Sequence, residues 1–149
     1  FVVELDDDDA RDIYVARAAV EKAAAVRVAR RADPEDLAAL DAIMDRLVGA
    51  VENSWADVVE MDMEFHSTII ERCRSERLQR MFRTLVAETK LCLVRLEEFY
   101  PDKASVVTEH QDILEAIRSG DEALVRQLID HHMDESAARL SLNRGEHQQ

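Results

Sequence analysis

The sequence contains little glycine and proline, the two residues that most often interrupt regular secondary structure. Only three Gly and two Pro occur among its 149 residues. Alanine, leucine, glutamate, aspartate and arginine dominate instead, and no β-type alternation of apolar and polar residues persists. Because 47% of the residues are hydrophobic, the chain can bury a core and is not a disordered segment. The composition therefore predicts α-helices joined by short turns.

Positive charge is also scarce, since 19 Lys and Arg residues face 32 Asp and Glu residues. The formal net charge of −13 repels nucleic acid and anionic membranes, so this chain alone is not expected to bind DNA or a membrane. No apolar run approaches the roughly 18 residues that a membrane span requires. No signal peptide is visible, and the chain begins with Phe1 rather than Met, which suggests a fragment or a processed chain.

Cysteine is rare as well. Cys73 and Cys92 do not form a pair with the spacing of a metal-binding or redox motif. Both fall in helical patterns and are expected to be buried free thiols. Free thiols suit a reducing compartment, so the predicted location is the cytoplasm.

Hydrophobic periodicity and capping residues mark six helical segments. They run from about Asp9 to Ala32, from Pro34 to near Gly49, from Asn53 or Ser54 to about Cys73, from about Glu76 to Phe99, from about Asp102 to Ser119, and from Asp121 to about Leu142. The remaining residues, 143–149, are expected to fray. No linker divides the chain, so residues 1–149 are predicted to form one all-α antiparallel helical bundle.

Four polar residues interrupt the apolar stripes of three segments. Asp62 and His66 lie one turn apart on the stripe of the third segment, His110 lies on that of the fifth, and His132 on that of the sixth. The apolar members of these stripes are Val58, Val59, Phe65, Ile69, Ile70, Val106, Val107, Ile113, Leu114, Ile117, Leu124, Val125, Leu128 and Ile129. An unpaired polar group in a core costs several kcal/mol, so four such groups indicate a shared partner.

The spacing around Gly120 supports a common meeting point. If the fifth and sixth segments form a hairpin about Gly120, His110 and His132 each lie roughly 15–18 Å from the turn and face each other. Asp62 and His66 are neighbours on one helix face, with Cβ atoms about 6 Å apart. One carboxylate and three imidazoles can then bind a divalent transition metal.

Simpler interpretations of these residues remain open at this point. A single histidine on an apolar stripe is usually a core residue whose hydrogen bonds are satisfied, and Asp62 with His66 can be an ion pair within one helix. His131 lies off the stripe of its segment and is expected at the surface. His147 falls in the C-terminal tail.

Two stretches, DMEFH and EHQDILEAIRSGDEALVRQLIDHH, resemble the FCD domain, the C-terminal effector-binding domain of FadR-type GntR transcriptional regulators. DIYVARAAVEKAAA near the start is similar to that domain's opening Arg-x-x-x-Glu helix, and the resemblance covers nearly the whole chain. It implies an all-α bundle of six or seven helices that binds a metal, usually zinc or nickel, through Asp62, His66, His110 and His132. A small organic acid would bind beside the metal.

The resemblance also implies an assembly and a larger protein. Members generally act as homodimers, and they contact DNA through an N-terminal winged helix-turn-helix that nothing in residues 1–149 matches. The expected chain is therefore an effector domain without its DNA-binding domain.

Arg17 is the main candidate for a second contact with the organic acid. It lies on the apolar stripe of the first segment and matches the opening arginine of the family pattern. A guanidinium binds a carboxylate through two parallel hydrogen bonds, which orients the ligand. The alternative is an internal ion pair with Glu21, four residues on. Arg83 and Arg95 are further candidates to line the effector cavity.

Two other functions compete with ligand sensing. A metal with three histidines, one acid and an open position can activate water for hydrolysis. A hydrolase also needs a general base, and the nearest acids, Glu64 and Glu109, fall off their stripes and are expected to face solvent. A closed four-coordinate site without a cavity would instead indicate a structural metal. The favoured prediction is a ligand-sensing domain that is not an enzyme.

Overall fold

Six α-helices dominate the computed structural model, which describes residues 5–95 and 102–141. They are α1 (Asp7–Arg31), α2 (Pro34–Val51), α3 (Trp55–Arg72), α4 (Glu76–Arg95), α5 (Ala104–Ser119) and α6 (Glu122–Ser141). No β-strand occurs within these ranges. The predicted all-α class and the order of the helices are confirmed.

Side chains that accept backbone hydrogen bonds fix several helix starts. Asp6 and Asp9 form a capping box at the start of α1, and Ser54 and Asp57 form one at the start of α3. Asp33 caps α2 ahead of Pro34, whose missing N–H costs nothing in the first turn. The start of α1 therefore lies two residues before the predicted Asp9, because Asp6 rather than a later aspartate is the cap.

α4 begins and α5 ends at the predicted residues, and Asp121 caps α6 as predicted, but α5 begins at Ala104, two residues after the predicted Asp102. Ser75 accepts a hydrogen bond from the backbone N–H of Leu78, and Asp121 accepts one from that of Leu124. Gly120 ends α5 with a φ of 71°, in the left-handed region that glycine adopts without strain. The predicted ends at Phe99 and Leu142, and the C-terminal tail, lie outside the described residues.

Helix α1 lies at the centre of the bundle. It packs against α3, α4, α5 and α6, while α2 packs against α3 and α5. Ala24, Ala25 and Val28 of α1 are fully buried, and such small side chains allow neighbouring helices to approach closely. A helix surrounded in this way is apolar on several sides rather than along one stripe.

The predicted stripes of α3, α5 and α6 point into the core with one exception. Phe65, Leu114 and Ile129 are among their buried members, but Leu124 is exposed. The prediction for Leu124 is wrong because this residue lies in the first turn of α6, where the helix emerges from the Gly120 turn. Both cysteines are buried free thiols, as predicted. None of the helices in the described ranges combines the length and the apolar character of a membrane span.

Candidate metal centre

Four polar side chains meet in the core, as the sequence pattern predicts. Asp62 and His66 come from α3, His110 from α5 and His132 from α6, and all four are buried. One potential ligand atom from each residue lies within 4.8 Å of those of the others. The α5–α6 hairpin about Gly120 brings the ring centroids of His110 and His132 to 4.9 Å.

The ligand atoms face one another across a short gap. Nε2 of His66 lies 3.1 Å from Nε2 of His110, which in turn lies 2.7 Å from Oδ1 of Asp62. Nε2 of His66 is 3.8 Å from the same carboxylate oxygen. The rings of His66 and His132 stack at 5.2 Å with an interplanar angle of 12°. The four groups therefore converge from three helices on one point.

Each histidine uses its other ring nitrogen for a hydrogen bond. Nδ1–H of His66 donates to Oε1 of Glu21. Nδ1–H of His110 donates to the carbonyl oxygen of Val106 at 2.6 Å, and that of His132 to Oε2 of Glu109 at 3.2 Å. Outer hydrogen bonds of this kind fix the tautomer and ring orientation of metal-ligating histidines. Because Nδ1 is occupied on all three rings, Nε2 is the ring atom that each histidine can offer to a metal.

The residues present fit a divalent transition metal. Oδ2 of Asp62 is buried and has no hydrogen-bond partner among the described residues. A buried polar atom without a partner costs free energy, which a bound ion at this position would offset. Three imidazole nitrogens and one carboxylate oxygen form a donor set typical of zinc and of nickel. Phe65, packed edge-on against His66 and His110 at 5.6 and 5.0 Å, holds two of the rings in place.

Electrostatics favours a cation at this point. Burial alone would raise the pKa of Asp62, but His110 and the other histidines outweigh it and the pKa is lowered, so the carboxylate stays charged. Burial and the neighbouring His110 lower the pKa of His132 to about 4, although the hydrogen bond that His132 donates to Glu109 acts to raise it. Burial also acts to lower the pKa of His110, but the adjacent Asp62 outweighs burial, and the pKa of His110 is raised.

Arg17 is buried and pairs with Glu21, so the ion pair considered as its alternative role exists. Nε of Arg17 donates to Oε2 of Glu21 at 2.8 Å, and the guanidinium lies 5.4 Å from the ring centroid of Tyr14. Nη2 of Arg17 is also buried and has no hydrogen-bond partner among the described residues. Burial opposes the charge of Arg17, but Glu21, Tyr14 and Asp62 together raise its pKa.

The structure places the other two candidate arginines away from this arrangement. Arg83 is exposed on α4. Arg95, at the end of α4, donates to the carbonyl oxygen of Leu5 at 3.3 Å and lies 3.7 Å from the carboxylate of Asp7. These contacts are at the start of α1 rather than at the histidines. A role for Arg83 and Arg95 in effector binding stays a prediction.

Sequence reasoning missed the two acids that hold the histidines. Glu109 was expected to face solvent, but its side chain is only 24% exposed because it bonds to His132 and accepts from Nη2 of Arg139 at 3.0 Å. Glu21 was considered as a partner of Arg17 and not of His66. Its position one turn after Arg17, on the same inward face of α1, is the signal that could have found it. Glu64 does face solvent, paired with Arg46 at 2.8 Å.

A groove opens beside the cluster between α5 and α6. Its volume is about 390 Å³, and its lining includes His132, Glu109 and Arg139 together with the exposed His131 and two further acids. His132 is the most exposed of the four cluster residues, at 6%. The cluster therefore lies nearest to solvent on the α5–α6 side.

Comparison with known proteins identifies the fold and the family. Two solved structures resemble the chain: McbR/YncC of E. coli, with a TM-score of 0.82, 21% identity and coverage of 96% of this chain and 69% of that chain, and the GntR protein of Streptococcus agalactiae, with a TM-score of 0.72, 20% identity and coverage of 89% and 58%. No curated protein matches the sequence. The family model of the FCD domain matches residues 12–135, so the chain belongs to the FCD domain family.

Proposed function

We propose that this chain is the ligand-sensing part of a FadR-type GntR transcriptional regulator and that it binds a small organic acid beside a divalent metal. FCD domains are regulatory, effector-binding parts of GntR-type regulators and not enzymes. The observation that carries the metal proposal is the buried cluster of Asp62, His66, His110 and His132. Its histidines can offer Nε2 to a metal, and Oδ2 of Asp62 has no hydrogen-bond partner within the described part of the chain.

Zinc or nickel is the proposed metal. Asp62 carries one negative charge and the three neutral imidazoles carry none, so a divalent ion would leave the site with one positive charge. A bound metal of this type supplies a Lewis-acid position where a carboxylate or hydroxyl can replace water. A positive site inside a chain of net charge −13 favours a small anion over other ligands.

Arg17 can orient the acid while it keeps its partner in the core. Its Nε is used by Glu21, which fixes the plane of the guanidinium, whereas Nη2 is free of protein partners among the described residues. Glu21 also bonds to His66, so a single carboxylate separates the guanidinium of Arg17 from the cluster. The ion pair with Glu21 and the contact with an acid are therefore compatible roles.

A hydrolase is a weaker interpretation of the same residues. The acid nearest to the cluster on the groove side, Glu109, is held between His132 and Arg139. These two partners lower its pKa to about 2 against the effect of burial, which makes the carboxylate a poor general base.

The proposal extends to the whole regulator. A winged helix-turn-helix domain attached to this chain would bind DNA, and a homodimer would present two such domains to a two-fold operator. Binding of the acid would shift their relative position if its affinity differs between two arrangements of the dimer. Sedimentation of the chain should then give about twice its mass of 17.0 kDa.

Calorimetric titration tests the effector proposal. Sugar acids, hydroxy acids and dicarboxylates are titrated into metal-loaded protein and into protein stripped with a chelator. The expected result is that the best binder requires the metal. If it binds equally well to stripped protein, the metal is structural and the proposed mechanism is wrong.

A further inference from the structure

Glu21 joins a metal ligand to an arginine through its two oxygen atoms. Oε1 accepts a hydrogen bond from Nδ1–H of His66, and Oε2 accepts one from Nε of Arg17 at 2.8 Å. The side chain is 1% exposed, so water does not compete for either oxygen. Arg17, Glu21 and His66 therefore form one continuous hydrogen-bond network, which connects α1 to the cluster through α3.

Each residue of this network is charged or polarised and lies in the core. Burial acts to raise the pKa of Glu21, but Arg17 and His66 lower it to about 2, so Glu21 is a carboxylate and the strongest kind of acceptor for an imidazole N–H. A carboxylate on Nδ1–H makes Nε2 of the same ring a better donor to a metal. The negative charge that Glu21 presents to His66 therefore depends on the strength of the hydrogen bond between Arg17 and the other carboxylate oxygen of Glu21.

We propose that Glu21 is a positioning residue through which Arg17 and the metal affect each other's binding. This inference rests on the proposed function and adds to it the effect that the acid and the metal have on each other's affinity. A bound organic acid attracts Arg17 and so weakens the hydrogen bond from Arg17 to Glu21. The hydrogen bond from His66 to Glu21 then becomes stronger, which increases the affinity of the site for the metal. Linkage is reciprocal, so the metal in turn increases the affinity for the acid.

The groove side of the cluster repeats the arrangement in a weaker form. Arg139 donates to Glu109, which accepts from Nδ1–H of His132 at 3.2 Å. The side chain of Glu109 is 24% exposed, against 1% for that of Glu21. Solvent replaces part of a hydrogen bond that is lost at an exposed site, so Glu109 is expected to affect the metal less than Glu21. Glu109→Gln serves as the matched comparison.

The test uses Co²⁺ as the probe, because its affinity is measurable by competition with a chromophoric chelator and its absorption spectrum reports the ligand field. Glu21→Gln should weaken Co²⁺ binding by about 10- to 100-fold and shift the spectrum. Glu109→Gln should have a smaller effect. The exposed ion pair of Arg46 on α2 and Glu64 on α3, the helix of His66, serves as the control, and Arg46→Gln/Glu64→Gln should leave both readouts unchanged.

A double-mutant cycle tests whether Arg17 acts through Glu21. Arg17→Gln should change the Kd for Co²⁺ several-fold when Glu21 is present, and by less than about twofold in the Glu21→Gln background. An unpaired buried charge can unfold the single variants, which circular dichroism would show. In that case the neutral double variant Arg17→Gln/Glu21→Gln is compared with the unsubstituted chain, and a loss of about 10- to 100-fold is again expected.

The outcomes separate this inference from the proposed function. If the unsubstituted chain binds no Co²⁺, the proposed metal site itself is wrong. If it binds Co²⁺ and Glu21→Gln, or the neutral double variant, keeps the same affinity and spectrum, Glu21 is an ordinary structural partner of Arg17. Equal effects of Arg17→Gln in both backgrounds would also overturn the coupling.

Discussion

Nε2 of His110 on α5 lies 2.7 Å from Oδ1 of Asp62 on α3, and this contact decides how protons and metal compete at the cluster. The Nδ1 atom of His110 is already committed to the carbonyl oxygen of Val106. A proton on His110 is therefore shared between Nε2 and the Asp62 carboxylate, at the place where the metal would bind. Metal binding must displace this proton.

The metal affinity should consequently fall as pH is lowered, beginning above pH 6.5. Asp62 raises the pKa of His110 above the ordinary value of about 6.5, so the competing proton is bound at a higher pH than usual. Below that pKa, each displaced proton lowers the apparent affinity about tenfold per pH unit. His132, with a pKa lowered to about 4, adds its effect only near that pH. Competition with a chelator between pH 8 and 4 measures this, and a constant affinity from pH 8 to 6 would contradict it.

Replacing Arg17 with Ala should weaken binding of the organic acid by about 1.5–3 kcal/mol, the value of a lost hydrogen bond to a charged partner. The measurement is calorimetry at a metal concentration that saturates both proteins. The control is Arg83→Ala, which removes an exposed arginine of α4. If Arg83→Ala weakens binding and Arg17→Ala does not, the acid is held from α4 rather than from α1.

Phe65→Ala should cost about 3–5 kcal/mol in the free energy of unfolding and should also weaken metal binding. The ring is fully buried and packs edge-on against His66 and His110, so its loss leaves a cavity behind two of the proposed ligands. Phe82 on α4 is also buried and is not among the cluster's ring contacts. Phe82→Ala should therefore cost similar stability in chemical denaturation without a comparable loss of metal affinity. Equal metal affinity in the two variants would contradict a role for Phe65 in the site.

Two glycines should respond in opposite ways to substitution by alanine. Gly49 lies inside α2, and a Cβ atom there would meet nothing within 4 Å, so Gly49→Ala should stabilise the protein by about 1 kcal/mol. Gly120 has a φ of 71°, so Gly120→Ala should destabilise it by about 1–2 kcal/mol, although the new Cβ would be in ordinary contact with the carbonyl of Ala29 at 3.6 Å. Thermal unfolding compares the two. A stabilising Gly120→Ala would show that the α5–α6 turn differs from the one described.

The sequence predicts the cluster residues well because the number of residues between two positions of a helix fixes their distance along the helix axis. Gly120 divides the distance between His110 and His132 almost equally, and a hairpin about a left-handed glycine then places the two rings side by side. Asp62 and His66 need only the one-turn periodicity of a single helix. The class of the fold follows from the same periodicity together with the scarcity of glycine and proline.

The partners of the cluster residues could not be predicted in the same way. Whether Glu21 turns toward Arg17 or also toward His66 depends on the packing of α1 against α3, which no spacing within one helix determines. Glu109 lies off the stripe of α5 and would be solvent-facing on an isolated helix, but α6 brings His132 and Arg139 to it. The exposure of Arg83 likewise depends on how α4 is rotated against α1 and α3.

The most direct test is the metal content of the purified chain by elemental analysis, compared with that of His110→Ala/His132→Ala. The double variant removes one proposed ligand from α5 and one from α6 and leaves Asp62 and His66 in place. We expect about one zinc or nickel ion per chain, and no retained metal in a double variant that circular dichroism shows to be helical. Retention of the full metal content by the folded double variant would contradict the proposed metal centre.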